Sequence, residues 1–384
     1  MLACALGASL ALALERVDAL ELPGEADLTS AVIDPAGQFA YFGTFSAPGR
    51  VVKVDLSSFA LVDVLTLENG EDNLRSAVID PAGEFAYFGT VTAPARVVKV
   101  DLSSFERVGS ITLQAFEDLV VSAVMDPAGA FAYFGTNTMP GRVVKINLSS
   151  FERADGLTLQ SGEDTLASAV IDPAGDYAYF GTFTFPGRVV KINLASFERV
   201  DSLLLGAQED MLFAATIDTT GELAYFGSTT APGRVVKVHL PSLARVDSLT
   251  LQGGENDLSS AVLDPSGDFA YFGTATGPGR VIKTRLSDLQ RVDAVTLDSG
   301  ENVLSSAVID PAGRYAYFGT AGPPVRVVRI SLEEDQIFRD SFGVPASTPA
   351  GSSGQLNDTG IDWCSNDSTN FLHCPAPGFP SQDG

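Results

Sequence analysis

SAVIDPAGQFAYFGTFSAPGRVVKVDLSSFALVDVLTL, residues 30–67, contains four apolar runs separated by turn chemistry. The runs are SAVI, then FAYFGT after Asp34-Pro35-Ala36-Gly37, then RVVKVDL after Pro48-Gly49, then LVDVLTL after Leu56-Ser57-Ser58-Phe59. Val, Ile, Tyr, Phe and Thr dominate them, the residue types that fit a pleated, half-buried surface, and the Gly, Pro, Asp and Ser between them are turn formers. In FAYFGT both alternating sets are apolar, Phe39 and Tyr41 on one side and Ala40 and Phe42 on the other. That strand is expected to be covered on both faces, whereas RVVKVDL and the last run alternate more clearly and suit strands nearer water.

The unit recurs seven times. Asp34, Asp80, Asp126, Asp172, Asp218, Asp264 and Asp310 each open the same turn at a constant interval of 46 residues. Helical solenoids are excluded by the missing 3.6-residue periodicity and by Pro and Gly inside every unit, and a β-solenoid uses shorter coils. Ala31, Ala77, Ala123, Ala169, Ala215, Ala261 and Ala307 repeat one small residue in the first strand, as crowding near a central axis requires. The segment LERVDALEL, residues 14–22, is a fourth-strand sequence standing before the first complete unit, and the last unit stops after its third strand, Arg326 to Leu332. The two pieces complete one blade and leave no open sheet edge. The expected fold is an all-β, seven-bladed β-propeller of four-stranded blades, closed by the N-terminal strand pairing with the last three strands and spanning residues 14–343.

The chain has 384 residues, 45% apolar content and a formal charge of −24. The apolar content suffices for a large core, and the charge repels phosphate backbones and anionic lipid, so nucleic acid is excluded as a partner and a soluble monomer is expected. Residues 1–13, MLACALGASLALA, read as the apolar core and cleavage site of a secretory signal without its positive start, and they are too short to span a membrane. They point to a secreted or cell-envelope protein. Residues 344–384 form a Pro/Ser/Gly-rich linker and a tail, in which Cys364 and Cys374 are a disulfide candidate. A zinc pair is the weaker alternative, because only His373 is near.

Two charged positions recur in all seven units. Glu25, Glu71, Glu117, Glu163, Glu209, Glu255 and Glu301 lie in the loop between blades, and Arg50, Arg96, Arg142, Arg188, Arg234, Arg280 and Arg326 lie where the loop between the second and third strands ends. Propeller topology puts both loops on one face. Either the rings form a polar rim that binds a partner, or each Glu pairs with an Arg of its own or a neighbouring blade and fixes the loops. The second reading is preferred, because a feature identical in every repeat belongs to the stacking rule. Lys53, Lys99, Lys145, Lys191, Lys237, Lys283 and Arg329, in mid third strand, are expected on solvent-facing flanks.

A specific site is better sought where the symmetry breaks. The fifth unit departs most, with Met211 and Phe213 at positions that are polar or aliphatic elsewhere. Phe45, Met139, Phe183 and Phe185 also decorate loops of that face, either as an interaction patch or, by preference, packed under their own loops. The turn aspartates read as caps of local backbone. The single propeller histidine, His239, reads as a surface or structural residue. No cofactor or metal is expected.

The D-P-A-G, Y-F-G-T and V-V-K-V-D elements stand in the order that YVTN-type bacterial propellers show, and the chain resembles that class from residue 15 to about 340, with a slightly longer unit. The resemblance implies the fold and only weakly a function, since such propellers include binders, envelope proteins and a few enzymes. IFRDSFG, residues 337–343, is similar to a segment of secreted Gram-negative proteins, with Ser341 and Gly343 departing from it. The last residues resemble the lead-in to a DUF1566 domain, related to the Legionella collagen-like adhesin C-terminal domain, with Ser381 departing; the domain itself does not follow, as in a fragment. The first functional expectation is a binding or scaffold module that takes a protein or glycan at one loop face, without catalytic residues. The alternative is a lyase or lactonase with an axial active site, which requires a unique polar cluster in the channel.

Overall fold

The computed structural model describes residues 14–332 as 28 strands in seven antiparallel four-stranded sheets. The leader at 1–13, residues 333–343 and the tail at 344–384 with Cys364 and Cys374 lie outside the described residues. In the first blade, β2 (Leu28–Ile33), β3 (Phe39–Thr44), β4 (Arg50–Asp55) and β5 (Ala60–Thr66) run as a meander from the axis outward. Asp34 shapes the first turn. Its Oδ1 accepts the Gln38 N–H at 3.0 Å and its Oδ2 the Phe39 N–H at 2.6 Å. The same pair of bonds recurs at Asp80, Asp126, Asp172 and Asp310, the local caps expected of these aspartates. Gly37 closes the turn at a φ of +66°, which disfavours any side chain.

The second-to-third-strand loop has its own rule. Thr44 Oγ1 receives the Arg50 N–H at 2.9 Å and shares a 2.7 Å bond with Ser46 Oγ, which donates to Pro48 O at 2.8 Å. This relay explains the hydroxyls two residues before the Pro in the first six blades, while the seventh carries Gly322 there. It also directs the loop toward the same end of the propeller as the blade-to-blade loop.

Blades stack through the second strand. Tyr41 packs into one apolar cluster with Phe88, Val98 and Val100 of the next blade. Ala40 and Phe42, on the opposite side, pack with Tyr317 and Val327 of the last blade. Coverage of FAYFGT on both faces is therefore the stacking itself. Ser30 Oγ adds a polar stitch by donating to Leu74 O at 2.9 Å, and Ser306 Oγ makes the ring-closing version to Leu28 O at 2.7 Å.

The mid-strand lysines differ from expectation. Lys53 Nζ lies 4.4 Å from the Phe39 ring centroid and 5.4 Å from that of Phe105 in the next blade, and Lys191 and Lys283 are buried. The long apolar stem bridges the gap between blades while the ammonium rests on ring faces, so these lysines are interblade contacts rather than a solvated flank.

Closure is direct. β1 (Glu15–Glu21) lies in the sheet order β1, β28 (Arg326–Ser331), β27 (Tyr315–Thr320), β26 (Leu304–Ile309), with Glu15 opposite Ser331 and Glu21 opposite Arg326. The pairing passes from Asp18↔Arg329 to Arg16↔Ile330, which leaves Val17 as a bulge. In β4–β5 it passes from Lys53↔Asp63 to Val54↔Leu61 and leaves Val62 in the same place. β1 thus carries the bulge of a fourth strand as well as its sequence.

Candidate functional site

The Glu ring is buried and paired, but with a different Arg ring from the one expected. Glu71 is fully buried; its Oε2 accepts Arg107 Nε at 2.8 Å and its Oε1 accepts Arg107 Nη2 at 2.6 Å. Arg107 belongs to the fourth strand of the same repeat, 36 residues on, and Glu117–Arg153, Glu163–Arg199, Glu209–Arg245 and Glu255–Arg291 copy the pair. Glu301 pairs with Arg16 on β1, so the ion pair crosses the closure. Each of these six carboxylates also accepts its own loop's backbone, as Glu71 does from Glu68 N at 3.1 Å. Burial by itself would raise the carboxyls of Glu71, Glu163 and Glu209, yet the arginine and backbone hydrogen bonds outweigh it and hold all three below the usual carboxylate range.

The third-strand arginines spread over the loop face on various partners. Arg234 Nη2 donates to Gln208 Oε1 at 2.6 Å, Arg326 Nη2 lies 3.1 Å from Glu21 Oε2, and Arg142 lies 5.8 Å from the Phe116 centroid. The guanidinium groups of Arg96 and Arg280 lie beside Gly70 and Gly254, and Arg188 lines a groove beside Phe185. Blade one is the exception. Leu61 stands where the fourth-strand Arg should be, so Glu25 turns to Arg50 Nη1 at 3.0 Å and its Oε2 has no partner. Burial raises the Glu25 carboxyl, and Arg50 offsets this only in part.

The axis has two levels. The pairing of every first strand skips one residue, as between Leu28↔Thr44 and Ser30↔Gly43, so residue 29 and its equivalents sit in a β-bulge without a cross-strand partner. A bulge re-aims its side chain. These seven side chains, Thr29, Arg75, Val121, Ala167, Phe213, Ser259 and Ser305, ring the channel mouth at the loop face. The next level inward is lined by the repeated Ser and Ala, such as Ser30 and Ala31.

A cavity of 370 Å³ opens at that mouth, lined by residues from all seven blades. Arg75 lies across it with Cζ 5.1 Å from the Phe213 centroid, and Phe183 meets Phe213 edge-on at 5.2 Å and 81°. Phe45, Asp27 and Asp257 complete the rim. Asp27 Oδ1 accepts the Gly322 N–H at 2.7 Å, and burial raises the Asp257 carboxyl. Burial also lowers the Arg75 guanidinium. Three of the cavity hydroxyls are engaged, Thr29 donating to Leu74 O and Ser259 and Ser305 to Leu304 O and Leu28 O, while the buried Thr229 Oγ1 has no partner.

Of the residues singled out from the fifth unit, Phe213 lines the cavity. Met211 stands at a φ of +51° in the loop before it, its backbone tied to Thr184 O. Arg75 was missed. The signal was available, since aligning the seven units on their turn aspartates exposes one column, between an apolar residue and a nearly constant Ser, that holds six residue types.

A second feature lies away from the axis on the same face. Met139, Phe183, Phe185, Pro186 and Leu204 line a groove of 530 Å³ together with Asp164 and Arg188. Met139 is 83% exposed and Phe185 72%, so these two do not pack under their loops. His239 is on the surface, its Nδ1 2.6 Å from Ser242 Oγ. Among the described residues no three His, Cys, Asp or Glu converge as a metal site.

No protein-family model matches the sequence, and no curated protein matches it. Among solved structures, hydrazine synthase of Kuenenia stuttgartiensis is similar with a TM-score of 0.68 at 16% identity, over 81% of this chain and 97% of that one. At that identity the likeness concerns the fold alone.

Proposed function

We propose that this propeller is a non-catalytic binding module whose loop face docks a protein partner outside the cytoplasm. The groove on blades three and four carries the proposal. Exposed Met139 and Phe185 line it beside Arg188, and Met, aromatic and Arg side chains are the types enriched where proteins meet. The flexible Met adapts to varied partners, and the exposed Met139 and Phe185 side chains suit the apolar side chains of a peptide better than the hydroxyl-rich surface of a glycan. The axial cluster favours binding over chemistry, since its one cation rests on an aromatic ring and Thr29, Ser259 and Ser305 donate to backbone carbonyls instead of to a base. The extracellular placement rests on the leader-like residues 1–13.

Selection of displayed peptides and immobilised glycans on the purified protein tests this. Wild type should enrich peptides, and the double variant M139D/F185D should lose them while S104A on the opposite face keeps them. Enrichment of glycans alone, or peptides indifferent to both groove residues, would overturn the proposal.

A further inference from the structure

We infer that the axial cavity is a small-molecule site for a monocarboxylate with an apolar or aromatic body, recognised by Arg75. The inference goes beyond the docking face, because it uses the channel mouth and none of the groove residues Met139 or Phe185.

Arg75 is the starting point. It stands in β6 (Leu74–Ile79) at the bulge, in a column whose other members are Thr29, Val121, Ala167, Phe213, Ser259 and Ser305, so the fold does not ask for a cation there. Six of the ring glutamates hold a fourth-strand arginine. Arg75, among the described residues, has neither a carboxylate within ion-pair distance nor a hydrogen-bond acceptor for its guanidinium, and its one partner is the face of Phe213. Arg75 is half-buried at the cavity, and a cation–π contact leaves its N–H donors unused. A charge kept in that position is poised for an anion that completes it.

The surroundings select which anion. Guanidinium matches a carboxylate by two parallel N–H donations. Asp27 and Asp257 share the cavity, and the chain as a whole carries −24, so a dianion such as a phosphate monoester meets more repulsion than a single carboxylate. Phe213 and Phe45 offer ring faces and edges, and Val121, Ala167 and Ala275 add apolar wall. A volume of 370 Å³ falls at the small end of ligand pockets, roughly 300–1,000 Å³, which suits an acid of one ring rather than a polymer.

Calorimetric titration of the whole protein with phenylacetate is the test, with phenethylamine and phenyl phosphate as arms that keep the ring and change the charge. Phenylacetate should bind saturably at one site per chain, while the other two bind at least roughly tenfold more weakly, a difference of about 1.4 kcal/mol. R75Q should weaken phenylacetate roughly tenfold or more, and R75K, which keeps the charge without the fork, should fall between. Thermal unfolding of R75Q, expected to match wild type, separates loss of the site from loss of the fold. M139D/F185D should bind phenylacetate normally, so failure of the docking proposal and failure of this one are distinct. No saturable phenylacetate binding, binding indifferent to R75Q, or tighter binding of phenethylamine would each overturn the inference.

Discussion

Two levels of one channel follow opposite rules. At the inner level Ala31 and its six equivalents are identical, and Ser30 is matched in every blade except the fifth, where Ala214 stands. At the mouth, one residue away in sequence, the column from Thr29 to Ser305 holds six residue types. The inner level is set by its neighbours: five of its six Ser hydroxyls, all but that of Ser76, bond to the next blade's carbonyl, and a Cβ on Gly43 would run into Ser30 Oγ and come within 2.8 Å of Leu74 Cβ. The mouth residue occupies a bulge with no cross-strand partner and faces the cavity. Stacking therefore dictates one ring and leaves the other free to carry something specific.

Breaking the symmetric elements should cost most. Arg199→Ala leaves Glu163 buried without its partner and is expected to lower the unfolding free energy by about 3–5 kcal/mol at neutral pH, read by denaturant titration. The Glu163 carboxyl is depressed in the folded state, so its contribution is present above the ordinary carboxylate range and is lost as pH falls through the lower folded value. The cost of Arg199→Ala should accordingly shrink in acid, and a loss unchanged at low pH would show that packing, not the ion pair, is responsible.

A matched pair of substitutions sharpens the contrast between levels. Gly135→Ala drives a Cβ into Ser122 Oγ and against Leu166 Cβ and should cost about 1–3 kcal/mol. Val121→Thr at the mouth should stay within about 0.5 kcal/mol of wild type. Equal losses in the two variants would erase the distinction.

The one expected gain is in blade one. Leu61→Arg restores the arginine the other blades use and should stabilise the protein by about 1.5 kcal/mol at neutral pH. In wild type the raised Glu25 carboxyl works the other way, its favourable contribution complete below the ordinary carboxylate range and lost as pH rises through the higher folded value. The gain from Leu61→Arg should therefore vanish in acid. A variant no more stable than wild type at any pH would mean that Arg50 already satisfies Glu25.

Much of the architecture was legible because it is written seven times. The turn aspartates, the doubly apolar FAYFGT and the leading LERVDALEL each carry a local instruction, and repetition averages out the accidents of any one copy. The Glu ring was legible as structural, but its partner was not. Arg50 and Arg107 recur with the same period, and periodicity cannot say which of two rings a side chain reaches. The mid-strand lysines were misplaced for a similar reason: a charged residue in an alternating strand reads as wet, and only the neighbouring blade reveals Phe105 beneath Lys53.

By itself the sequence determined the number of blades, their strand order, the turns and the way the ring closes, because those rest on short-range chemistry and on a period that any reader of the chain can count. Tertiary structure alone decided that the variable column points into the channel, that Arg75 meets Phe213 across it, and that Met139 and Phe185 stand in the open. Such meetings join residues over a hundred positions apart, and their geometry depends on a bulge and on ring curvature that no local pattern encodes.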